Sequence, residues 1–199
     1  PLWQGARMVR TVQFDGLFGT DIIGLSNDRM TLMSYLHVGL NAFLPGPQHT
    51  FDFAIRDFVV YDYDGDGDQD MAVITNAGLH IVDNNANLVH FEPKHGVING
   101  KLAKISQVNI DHDRLAWADR DANDLKDEIY ILGPLGIEES VSIGDLGVVG
   151  IVSGNSNGDV YDDLLISHRT DYSVLVLHNL RPTDAGEPSS PKIIPRYAM

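Results

Sequence analysis

The chain of 199 residues contains no cysteine, which removes disulfide bridges, zinc–thiolate sites and thiol nucleophiles together. It has no apolar run of membrane-spanning length, so no membrane insertion is expected. Basic residues are scarce: 14 Lys and Arg stand against 28 Asp and Glu, for a formal charge of −14. That balance argues against nucleic-acid phosphate or anionic lipid as partner, since both attract basic patches. Catalytic signatures are few as well. There is no His-Glu-x-x-His zinc helix, and the glycines of Gly144 to Gly150 have the wrong spacing for a dinucleotide fingerprint. That segment reads as a turn entering a strand, and the eight histidines have no partners at ligand spacing. No enzyme activity is expected from the chain itself. Residues Pro1 to Gly5 form no basic and apolar leader, which suggests a processed chain, part of a longer one, or loss of an initiator Met.

Hydrophobic residues make up 43% of the chain, enough for an ordinary core, and acidic residues are abundant and patterned. The segment Asp62-Tyr63-Asp64-Gly65-Asp66-Gly67-Asp68-Gln69-Asp70 puts five carboxylates at every second position. Like charges so close repel unless a hard cation collects their oxygens, and Ca²⁺ takes about six to eight oxygen ligands. By position, Asp62, Asp64 and Asp66 supply side-chain oxygens, Asp68 its backbone carbonyl, and Asp70 closes the shell. Gly67 permits the sharp turn after the fifth place. An EF-hand would need Glu at the twelfth position, where Val73 stands. The flanks, Phe58 to Tyr61 and Met71 to Thr75, are β-branched and aromatic runs, so the loop joins strands and not helices.

Three other segments have the same outline. Asp119, Asp121, Asn123 and Asp127 occupy places one, three, five and nine of a second loop, with Leu125 at the carbonyl place and Asp124 where the first has Gly67. Asn155, Asn157, Asp159 and Asp163 do so in a third, with Tyr161 at the carbonyl place and Val160, an unfavourable residue there, at the turn. Residues 13–21 form the most worn copy: Leu17 replaces the fifth ligand, and a structural loop without metal is expected. The ninth-place aspartates, at 21, 70, 127 and 163, fall 49, 57 and 36 residues apart. A constant local pattern at uneven spacing, each copy followed by strand, turn and usually a second strand, predicts an all-β chain of about four propeller blades over residues 1–180. Trp117, in the strand before the second loop, is expected to pack between blades. The Pro- and Ser-rich stretch 181–199 reads as a tail or linker.

The pattern Asp-x-Asp-x-Asp-Gly-x-x-Asp between two strands resembles the FG-GAP/VCBS repeats of integrin α-subunit propellers and secreted bacterial proteins. Residues 62–70 match fully, 119–127 and 155–163 match at the ligand places, and 13–21 match in outline. With no Gly-Ala-Pro element, the bacterial VCBS type is nearer. The resemblance implies a β-propeller with two to three structural Ca²⁺ ions in its hairpins, used for recognition or adhesion with a protein or glycan partner. An accessory or scaffold role beside a secreted polysaccharide- or lipid-processing enzyme is the alternative. Loops of this kind fill at millimolar calcium, so an extracellular, periplasmic or cell-surface location is expected. Seven blades would need about 350 residues. The expectation is therefore a segment of a larger ring-forming chain, with an oligomer that closes the ring or a compact small propeller as alternatives.

Overall fold

The computed structural model describes residues 5–13, 17, 19–67, 69–82, 88–91, 101–105, 114–120, 126–133, 136–158, 162–169, 174–178 and 192–193. These form sixteen strands in four antiparallel sheets of four, each an up-and-down meander in chain order. The first sheet contains β1 (Met8–Val12), β2 (Asp21–Leu25), β3 (Thr31–His37) and β4 (Phe43–Thr50). The second contains β5 (Ile55–Tyr61), β6 (Asp70–Thr75), β7 (Leu79–Val82) and β8 (Leu88–Phe91). The third contains β9 (Lys101–Ile105), β10 (Arg114–Arg120), β11 (Asp127–Gly133) and β12 (Gly136–Gly144). The fourth contains β13 (Val148–Gly154), β14 (Asp163–His168), β15 (Val174–His178) and β16 (Lys192–Ile193). All the β-branched runs flanking the acidic loops are strands, and residues 144–147 are the turn between β12 and β13, with Gly144 and Gly147 at positive φ. Lys192–Ile193, from the stretch read as a tail, pairs with β15. Among the described residues no helix is long and apolar enough to cross a membrane.

Side chains alternate between the faces of a strand, and a sheet in the middle of a stack must be apolar on both. The middle sheets satisfy this. In β6, Met71 and Val73 enter a core shared with Ile23, Leu25 and Leu32 of the first sheet, while Ala72 and Ile74 enter one shared with Leu115 and Trp117 of the third. Every residue of β6 is buried in consequence. In the third sheet, Trp117 and Tyr130 face the second sheet, whereas Ala116, Ala118, Ile129 and Ile131 face Val148, Ile151 and Leu164 of the fourth. Trp117, expected from its sequence position to pack between repeats, lies between the second and third sheets at 2% exposure. Three apolar layers join the four sheets in order.

The third sheet is out of phase with the others. Its acidic-loop hairpin joins the second and third strands, β10 and β11, whereas in the other sheets it joins the first and second. The additional strand, β9, pairs with β10 and runs close to β5 and β13. This shift accounts for the uneven spacing of the ninth-place aspartates. The interval before Asp127 has to accommodate β9, and the interval after it is short because β13 follows β12 directly.

Candidate metal centre

The 62–70 loop hangs between Tyr61, the last residue of β5, and Asp70, the first of β6, which are paired across the ladder. One carboxylate oxygen from each of Asp62, Asp64 and Asp70 lies within 4.8 Å of the other two. Two oxygens bound to one Ca²⁺ at about 2.4 Å each can be at most ~4.8 Å apart, so this is the separation a shared ion would need. Asp70 is buried, Asp62 half-buried and Asp64 exposed, which leaves the cluster closed toward the core and open toward solvent.

Backbone amides hold the cluster in shape. Asp62 Oδ1 accepts from the Gly65 N–H at 2.7 Å and Asp62 Oδ2 from the Gly67 N–H at 3.0 Å. Asp64 Oδ1 accepts from the Asp66 N–H at 3.2 Å, and Asp70 Oδ2 from the Tyr63 N–H at 2.7 Å. Curling the backbone around Asp62 requires positive φ at both glycines, 79° at Gly65 and 92° at Gly67. The sequence pattern assigns this task to Gly67 alone, and Gly65 shares it. Tyr63 fastens the loop to the protein: its ring packs on the core between the second and third sheets and lies edge-on to Tyr61 at 6.1 Å. Burial, then the Asp64 and Asp70 carboxylates, push the Tyr63 phenol above its usual range. Asp66 is not among the three converging carboxylates.

The 155–163 loop repeats this frame. Asn155 Oδ1 accepts from the Gly158 N–H at 2.6 Å, as Asp62 does from Gly65, and Asp163 Oδ2 accepts from the Ser156 N–H at 2.9 Å, as Asp70 does from Tyr63. The Ser156 hydroxyl also donates to Asp163. Gly158 has φ 82°, matching Gly65 and not Gly67. The glycine at the fourth place is therefore the feature shared by the two loops; Val160, at the sixth place, lies outside the described residues. Asn157 is exposed in this loop.

In the other two loops the ninth-place aspartates make contacts of their own. Asp127 Oδ2 accepts from the Leu146 and Gly147 amides at 2.9 and 2.6 Å, tying β11 to the turn before the fourth sheet. Asp21 Oδ1 accepts from the His37 N–H at 2.7 Å, and Gly19 lies against the same histidine: a Cβ there would meet His37 Nδ1 at 1.9 Å. Asp119 belongs to β10. Asp68, Asp121, Asn123, Leu125, Asp159 and Tyr161 lie outside the described residues.

No family model and no curated protein matches the chain. One solved structure that resembles it is the crystal structure of BBS1N in complex with ARL6DN, soaked with lead, at TM-score 0.64 and 15% identity. The match takes in 90% of this chain and 53% of that one, so the chain spans about half the length of its structural neighbour. At that identity the likeness is one of fold. The chain is an all-β protein of four small antiparallel sheets, similar in architecture to a β-propeller-type domain.

Proposed function

We propose that the chain is a calcium-binding β-propeller module for extracellular recognition or adhesion, in which the ion clips hairpins together and a protein or glycan surface is the partner. The observation that supports it is the convergence of Asp62, Asp64 and Asp70 within 4.8 Å at the head of a strand buried on both faces. A cation there would neutralise carboxylates that otherwise repel, and would join the loop to a strand of the second sheet whose every residue is buried. Such an ion stabilises the native state in proportion to its occupancy. Its role is that of a clip, since one of the three converging carboxylates, Asp70, belongs to a buried strand and the other two to the loop.

Ring closure belongs to the same proposal. The chain spans half of a propeller-type neighbour, and the fourth sheet turns Val152, 59% exposed, away from the core shared with the third. Further sheets from a larger chain would cover that face. The test is thermal unfolding in excess calcium and in EGTA, followed by a glycan array under both conditions. A melting temperature indifferent to calcium would sink the metal reading. Polysaccharide turnover without binding of any glycan or surface partner would overturn the recognition reading in favour of an enzyme accessory.

A further inference from the structure

The cations of this acidic chain are not spread evenly. Arg7, Arg29, Arg56 and Lys101, four of its 14 basic residues, line one cavity of about 280 Å³ whose described lining includes no carboxylate. The cavity floor is apolar, with Leu25 at 1% and Ile55 at 0% exposure. Leu25 ends β2 and Ile55 begins β5, so the cavity lies at the strand ends away from the 62–70 loop. The four cations come from four places: the segment before β1, the turn between β2 and β3, the start of β5, and β9.

Two features set this apart from a solvated basic patch. First, Arg29 has φ 65°, in the left-handed region, and its backbone is fixed by Arg29 N–H to the Ser26 carbonyl at 3.0 Å and Ile55 N–H to the Arg29 carbonyl at 2.7 Å. A turn position of this kind favours glycine or asparagine, and an arginine there holds a guanidinium at the cavity against backbone preference. Second, among the described residues the side chains of Arg7, Arg29 and Lys101 have no carboxylate partner, although the chain has twice as many acids as bases. Arg56 is oriented by its Nε donating to Asn76 Oδ1 at 2.7 Å, and Arg10 in the adjoining cavity is engaged with Asp57. Guanidinium groups present planar forks of donors that match the oxygens of sulfate, phosphate and carboxylate, and a low-dielectric floor strengthens such contacts.

We propose that this cavity binds a multivalent oxyanion, through Arg7, Arg29 and Lys101 with Arg56 as an oriented fourth donor. It is a second ligand site, of opposite charge to the acidic loop and at the other end of the strands. The inference does not rest on the calcium reading.

The test is thermal unfolding in sodium sulfate, phosphate or citrate, each against sodium chloride at equal ionic strength. All arms contain EGTA, so that chelation of calcium by citrate or phosphate plays no part. At a ligand concentration about ten times its dissociation constant, the melting temperature should rise by about 4 °C over chloride. Sulfate and phosphate against citrate separate a tetrahedral oxyanion from a polycarboxylate. Arg29→Gly suits the backbone at φ 65°, so the variant should fold at least as stably while binding about tenfold more weakly. Arg7→Gln should weaken binding likewise. Oxyanions also stabilise proteins through general exclusion from their surfaces, and that part should persist in both variants. If the variants respond as the parent chain does, or if no anion exceeds chloride, the cavity is a solvated cationic patch and the inference is wrong.

Discussion

Asp70 accepts a 2.7 Å hydrogen bond from the Tyr63 amide, so the residue that opens β6 also fixes the second residue of the acidic loop. Asp163 does the same for Ser156 in the fourth sheet. In each case a buried carboxylate has a structural task that precedes any metal.

Replacements in the loop should therefore separate into two kinds. Asp70→Ala leaves the Tyr63 amide without this acceptor and should cost about 1–3 kcal/mol even in EGTA, besides removing the calcium response. The exposed Asp64 has a lesser role in the fold, so Asp64→Asn should leave stability in EGTA within about 0.5 kcal/mol while reducing the shift produced by calcium. Urea titrations with and without calcium measure both.

Gly158→Ala, at φ 82°, should destabilise by about 1 kcal/mol although among the described residues, its chain neighbours aside, no atom stands within 4 Å of the added Cβ, because the cost is conformational. Gly154→Ala, also with open space but no positive φ, should be neutral or gain a few tenths of a kcal/mol. Opposite signs in chemical denaturation would distinguish backbone strain from crowding.

Arg10 joins the first sheet to the second by donating to Asp57 at 3.0 Å and to the Phe58 carbonyl at 3.2 Å, with its guanidinium 5.8 Å from the Phe58 ring centroid. Asp57 is buried, whereas the Arg10 side chain is 43% exposed, which keeps the coupling well below that of a fully buried pair. Arg10→Ala should cost about 1–2 kcal/mol, and Asp57→Ala should cost less in that background than in the parent chain. A double-mutant cycle reads the difference.

Burial holds the His49 imidazole below its ordinary value of 6.5, beside a small cavity bordered by Ile23, Leu32 and Met71. The folded state therefore resists protonation more than the unfolded one. Its contribution is fully present above the unfolded value and falls away as pH drops through 6.5 toward the lower folded value. His49→Gln should flatten the stability profile in that window alone, as successive urea titrations between neutral and mildly acidic pH would record.

Much of the architecture was legible because short-range chemistry wrote it. The runs Phe58 to Tyr61, Met71 to Thr75, Ile129 to Leu132 and Leu164 to Ser167 are apolar and β-branched, and all are strands. The phase shift of the third sheet was not legible, because it depends on which strand β9 chooses as neighbour and not on a local pattern. The glycine at the fourth loop place is there in Gly65 and Gly158, but the pattern draws attention to the sixth place, where Val160 in the one loop and Gly67 in the other hide the likeness. The cationic cavity had no signature along the chain at all. Arg7, Arg29, Arg56 and Lys101 are far apart in sequence and meet only when the first three sheets have formed.

The complete burial of β6 has a kinetic consequence. A strand with a core on each face can exchange its ladder amides with solvent only when both cores open, so its protons should be among the slowest to be replaced by deuterium in the molecule. The acidic loop is attached to the first residue of that strand. An ion bound there would have one ligand, Asp70, on that slowly opening strand and two, Asp62 and Asp64, in the solvent-facing loop, so its release would report opening of the loop well before the strand itself unfolds.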